Sequence, residues 1–245
     1  MKRYKVLLID LDGTLLGSKK YLLTASFVFF FYLAFREFGI GLSKTISLLK
    51  SLRATMEIEG VSNKTNMQRA VELVAAKFHL SPSDAESVLS KKLLWVFKKV
   101  KFCFYPFSNI DEVLKTLSQH PNCRLVLATN PAWPKECVYE RIRWAGIDRK
   151  FFEFVTTSDF MHSVKPSPNY YQELLDRLGV CAADVLMVGD SYKKDAICKV
   201  VGIDFHKVTS KGSRVHGFED LVLFDVARPE AASPEPALSR RFHDL

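Results

Sequence analysis

The chain of 245 residues lacks several features that would settle its class at once. Its five cysteines form no CxxC pair, its six histidines show no ligand spacing, and no stretch of 20 uncharged residues occurs. The first two absences remove zinc-finger and redox-motif readings, and the odd cysteine count fits reduced thiols in a cytoplasm. The third bears on membranes. The longest uncharged run, 21–35, is shorter than the roughly 20 residues that a spanning helix needs, and it follows a strand rather than opening the chain as a leader would. A sequence pI of 9.2 invites nucleic acid, yet there is no zinc-knuckle spacing, no glycine-aromatic RNA-binding motif and no basic run beyond paired lysines, so neither nucleic acid nor membrane is expected as a partner. No internal repeat is present.

What the chain has is acids at the ends of apolar runs. Val6-Leu7-Leu8-Ile9 leads directly into Asp10-Leu11-Asp12-Gly13-Thr14-Leu15. Four consecutive apolar residues read as a strand buried on both faces of a parallel sheet, ended by a turn at Gly13. Ligands of open α/β sheets sit beyond the carboxyl ends of the strands, so both acids should face a site. Positions i and i+2 of a strand share a face, and two like charges there call for compensation, which a divalent cation supplies.

Three later segments repeat the arrangement. Cys123-Arg124-Leu125-Val126-Leu127-Ala128 ends in Thr129-Asn130-Pro131, with hydrogen-bond donors for an anion at a strand terminus and a proline that stops the strand. Lys165 stands just before Ser167 and Pro168, which read as the N-cap and first position of a helix closed by Gly179. Asp184-Val185-Leu186-Met187-Val188-Gly189 ends in Asp190, and Asp195 follows near the start of a helix closed by Gly202. A helix N-terminus accounts for Asp195 as well as a metal does, but it leaves Asp190 unexplained.

DLDGTL, LATN, VKP and VGDSYKKD, in this order and spacing, resemble the four motifs of the haloacid dehalogenase superfamily, over residues 1–16 and 107–210. The resemblance implies a doubly wound, Rossmann-like α/β core with a parallel sheet and an inserted α-helical cap. It implies that Asp10 is the nucleophile and Asp12 the general acid and base, that Thr129 and Asn130 contact the phosphoryl group, and that Lys165 neutralises charge. Mg²⁺ would be held by Asp10, by Asp12 through its backbone carbonyl, and by Asp190 with Asp195 in support. An acid at position 12 moves the reading from carbon-halogen cleavage to Mg²⁺-dependent hydrolysis of a phosphate monoester through an aspartyl-phosphate. A mutase or phosphotransferase would use the same residues, and a phosphate-dependent binding module would keep the fold without turnover.

Length then sets the organisation. Residues 1–16 and 107–226 form the expected core, and 17–106, too long for a connection, the helical cap. Helices are expected over 21–37, 42–57, 66–78 and 82–99, the last opened by the cap Ser81 and by Pro82; Ser108 and Asn109 repeat that signature as the chain returns. The aromatic first helix is expected to be buried, with an exposed face for a second subunit, as in a homodimer, or for a lipid-like substrate as the alternative. Residues 17–106 carry 14 Lys and Arg against 6 Asp and Glu, so their net +8 equals that of the whole chain. A basic lid would steer an anionic substrate, although solvated helix faces explain the same residues. The expected substrate is a small soluble phosphoester, such as a sugar phosphate, a nucleotide or phosphoglycolate. Residues 227–245, rich in Pro, Ala, Ser and charge, read as a flexible tail.

Overall fold

The computed structural model describes residues 4–57, 63–120 and 123–223; the expected tail, 227–245, lies outside them. In chain order the strands and α-helices are β1 (Val6–Ile9), β2 (Leu16–Ser18), α1 (Lys20–Phe35), α2 (Leu42–Met56), α3 (Asn66–Phe78), α4 (Pro82–Val100), β3 (Phe104–Pro106), α5 (Ile110–Ser118), β4 (Arg124–Leu127), α6 (Lys135–Trp144), β5 (Phe154–Val155), α7 (Pro168–Leu178), β6 (Val185–Gly189), β7 (Asp204–Lys207), β8 (Thr209–Lys211) and β9 (Arg214–His216).

Five strands form a parallel sheet in the order β5-β4-β1-β6-β7. Burial on both faces follows from the uninterrupted apolar runs. Val6 and Leu8 of β1 pack with Val126, Met187 and the α7 residues Tyr170, Tyr171 and Leu174. Leu7 and Ile9 point the other way, into a cluster with Leu114 of α5, Val138 of α6 and residues of α1 to α4. A period of two therefore serves two separate cores. The expected α/β fold with a parallel, two-sided sheet is the fold observed.

The local signals act as the chemistry requires. Ser167 accepts from Asn169 N at the start of α7, Gly179 closes that helix in the left-handed region, and Ser81 accepts from Asp84 N to cap α4. Asn109 departs from expectation. Its side chain does not cap α5; it donates to Val215 O at 2.7 Å and to Glu219 Oε1 at 2.6 Å and accepts from Val215 N at 3.1 Å. A buried amide thus ties β9 to the start of α5, and a long-range partner outcompetes the local cap.

The chain leaves the core along β2 and returns along β3, which pair antiparallel. A Cβ on Gly17 would stand 2.2 Å from the Tyr105 ring, so the ribbon needs glycine there. Between these strands α1 to α4 pack on one another and share a continuous apolar cluster with one face of the sheet. The first turn of α3 is bonded to the core, with Asn66 N donating to Met161 O and Met67 N to Ser158 O, both at 2.8 Å. Arg69, also buried, donates to Asn66 Oδ1 and His162 O.

The aromatic helix α1 is not the buried helix expected. Phe31, Ala34 and Phe35 are buried, but Tyr21, Leu22 and Phe29 are exposed. A 3₁₀ turn extends it to Phe38, and Lys20–Phe38 is long and apolar enough, by length and composition alone, to cross a membrane. Core helices of soluble proteins pass the same test.

Asn109→Ala removes both partners of β9 and leaves the buried Val215 N–H unpaired. A loss of about 1–3 kcal/mol is expected, read as a lower urea midpoint with an unchanged slope.

Candidate active site

Parallel pairing in register brings the motif residues together. Ile9 stands opposite Val188, so Asp10 and Asp190 emerge side by side from the carboxyl ends of β1 and β6. Asp10, Asp190 and Asp195 each offer an oxygen within 4.8 Å of the other two. Lys165, buried, donates to Asp10 Oδ1 at 3.0 Å and to Asp195 Oδ1 at 2.5 Å. Its backbone N–H is held by Asn130 Oδ1 at 3.2 Å.

Two glycines make this convergence possible. Gly13 has φ +92°, and a Cβ there would lie 2.4 Å from Asp190 Oδ2; a Cβ on Gly189 would lie 2.4 Å from Asp195 Oδ2. Asp195 is further fixed by Ser191 N, which donates to its other oxygen at 3.0 Å.

Charge in this cluster is unbalanced. Burial pushes the Asp10 carboxyl up to about 7; Lys165 opposes that shift, and Asp195 and Asp12 add to it. Asp190 is also raised, by burial and then by Asp195. Burial works against the Lys165 ammonium, but Asp10, Tyr171 and Asp195 hold its pKa well above the ordinary lysine value. Three acids around one ammonium leave an excess of negative charge in a dry site, and hard oxygen donors of this kind match Mg²⁺. The residues present therefore suit the ion.

Asp12 does not share the face of Asp10. Strand β1 ends at Ile9, so the alternation of a strand no longer governs position 12, and the Asp12 carboxylate is outside the cluster of three. It pairs instead with Arg141 Nη1 of α6 at 2.5 Å.

Thr129 is buried, and among the described residues its Oγ1 has no hydrogen-bond partner. Its carbonyl is anchored by Thr156 Oγ1 at 2.7 Å and by Tyr170 OH at 3.0 Å. An orphaned hydroxyl at a strand terminus is a free donor at the sheet edge.

Sequence reasoning missed Arg141, although a signal existed. On α6, Cys137, Val138, Ile142 and Trp144 make a buried stripe, and Arg141 falls within it. A cation on the apolar face of a helix needs an anionic partner.

Asp12, Asn130, Arg141 and Lys165 line a cavity of about 590 Å³ between the sheet edge and helices α1 to α4. The rest of its wall is largely apolar and includes Phe27, Leu49, Leu52, Met56, Leu93 and Trp133. Of the basic residues in 17–106, only Arg53 lines it, paired with Glu57 at 2.7 Å. Lys64 and Lys92 pair with Glu72 and Glu37.

Comparison with known proteins agrees with this geometry. A family model of haloacid dehalogenase-like hydrolases matches residues 4–197. The chain belongs to that family and is a hydrolase of its class. Among solved structures, a haloacid dehalogenase-superfamily phosphatase from Thermococcus onnurineus is 20% identical, with 87% of this chain and 89% of that one covered and a TM-score of 0.52. A 2-haloacid dehalogenase from Pseudomonas syringae is 16% identical, with 90% and 98% covered and a TM-score of 0.59. A predicted phosphoglycolate phosphatase from Haemophilus somnus is 20% identical, with 84% and 85% covered and a TM-score of 0.50. These likenesses establish the fold. None of the curated proteins compared with the chain matches it.

Two variants test the cluster. Lys165→Met leaves Asp10 and Asp195 buried without their cation and should cost about 3–5 kcal/mol in Mg²⁺-free buffer, with Mg²⁺ raising the melting temperature more than it does in the wild type. Gly13→Ala should lose about 1–2 kcal/mol from the left-handed backbone alone and should weaken Mg²⁺ binding by displacing Asp190, as titration calorimetry would show.

Proposed function

We propose that the protein is a Mg²⁺-dependent phosphatase that hydrolyses a phosphate monoester through an aspartyl-phosphate on Asp10. The observation that carries this reading is the convergence of Asp10, Asp190 and Asp195 on the buried Lys165, with a second acid, Asp12, facing the adjoining cavity.

The ionised Asp10 carboxylate attacks phosphorus, the bond from phosphorus to the leaving oxygen breaks, and Asp12 gives that oxygen its proton. Water then attacks the phosphorus of the aspartyl-phosphate, Asp12 takes the proton of the water, and Asp10 is released with inorganic phosphate. Lys165 offsets the charge of the phosphoryl oxygens, and Thr129 Oγ1 donates to one of them. Mg²⁺, held by Asp10, Asp190 and the Asp12 carbonyl with Asp195 in support, would neutralise the repulsion between two anions that otherwise opposes the attack.

Asp12 also separates this reading from dehalogenation. Carbon-halogen cleavage releases halide, which needs no proton, whereas an alkoxide leaving group does. The pairing with Arg141 holds the Asp12 carboxylate beside the cavity.

Asp10→Asn should abolish Mg²⁺-dependent phosphate release from an aryl phosphate while leaving the circular dichroism spectrum unchanged, and wild-type rates in that variant would refute the assignment. Asp12→Ala should slow turnover by about 10²–10⁴. Asp190→Ala should shift the Mg²⁺ dependence to higher concentration.

A further inference from the structure

The cavity wall divides by chemistry. Its charged and hydrogen-bonding groups are gathered mainly on the sheet side, at Asp12, Asn130, Arg141, Ser158, Lys165 and Lys194. Helices α1 to α4 contribute Leu23, Phe27, Val28, Leu49, Leu52 and Met56, with further apolar residues beyond them. The few polar groups on the helical side, Thr24, Arg53 and Glu57, are exposed to solvent and partly engaged with their own helices. The Thr24 hydroxyl donates to Lys20 O of its own helix at 3.0 Å, and Arg53 and Glu57 hold each other at 2.7 Å.

A sugar or a nucleotide base placed under these helices would meet few partners for its hydroxyls or ring nitrogens, and a polar group left unpaired against an apolar wall is costly. The volume argues in the same direction. About 590 Å³ lies within the roughly 300–1,000 Å³ of sites that hold drug-sized ligands, far more than phosphoglycolate would fill. The wall also accounts for part of the apolar surface of α1. Phe31 and Phe35 face the core, while Leu23, Phe27 and Val28 face the cavity.

From this wall we infer that the substrate is a phosphate monoester whose leaving group carries an extended apolar body, with the phosphate at the sheet edge and the body beneath α1, α2 and α4. This rests on the phosphatase reading for the chemistry, but not for the shape of the site. It departs from the small soluble phosphoester expected from the sequence.

The test is a homologous series. With Mg²⁺, kcat/KM for ethyl, butyl, hexyl and octyl phosphate should rise by about fourfold per methylene until the cavity is filled, and hexyl phosphate should exceed ribose 5-phosphate and phosphoglycolate. Titration calorimetry of the matching n-alkylphosphonates on the wild-type protein gives a readout independent of turnover, and Kd should fall by a similar factor per methylene. Leu49→Gln, on the cavity wall, should flatten both series. Hydrolysis or binding that is flat with chain length, or that favours the polar esters, overturns the inference and leaves the phosphatase reading standing. Absence of turnover, with phosphonate affinity still rising with length, supports the apolar site and overturns the phosphatase reading instead.

Discussion

Lys165 is the constraint on which the site depends. Its ammonium lies between Asp10 and Asp195 with essentially no solvent around it, and a buried cation is tolerated only where its partners are well placed. The reverse also holds, since Asp10, Asp190 and Asp195 could not be packed within 4.8 Å of each other in a dry setting without a positive charge among them. Burial, and then the neighbouring carboxylates, push Asp10 and Asp190 up despite that ammonium. The cluster has the hard oxygen donors that suit a dication, and Lys165 keeps it assembled.

The parallel sheet converts this electrostatic requirement into geometry. Because β1 lies between β4 and β6, the ends of these three strands deliver Asp10, Thr129 and Asp190 to one edge. The loop before α7 brings Lys165 in from the side, its backbone held by Asn130. Gly13 and Gly189 remove the two Cβ atoms that would keep the carboxylates apart. The arrangement tolerates little displacement, since both close approaches are measured against the acids themselves.

Much of this was legible in the sequence because the signals are local. Apolar runs of four or five residues fixed the central strands, and Ser167, Pro168 and Gly179 bounded α7 as their capping chemistry requires. The acids could be assigned to the site because strand ends in an open α/β sheet share one edge. What escaped depends on contacts distant in sequence. Arg141 meets Asp12 across 129 positions, Asn109 abandons the helix end for β9, and the β2–β3 ribbon consists of three-residue strands too short to carry a periodic pattern. The partial exposure of α1 was hidden for a different reason. Its apolar residues surround the helix, so composition gave no face from which burial could be read.

The two acids of the first motif show how a single turn assigns separate roles. On a continuing strand, Asp10 and Asp12 would stand on one face and repel. The chain turns at Gly13, and each acid acquires its own cation, Lys165 for Asp10 and Arg141 for Asp12. Asp10 is thereby drawn into the dry cluster, where a carboxylate is poorly solvated and a ligand for a metal is favoured. Asp12, with its side chain 46% exposed, stays at the cavity wall, where a proton can be exchanged with a leaving group or water. Identical side chains two positions apart differ in environment because one helix supplies an arginine to its buried stripe, and the proposed division of labour between nucleophile and acid would rest on that difference in surroundings.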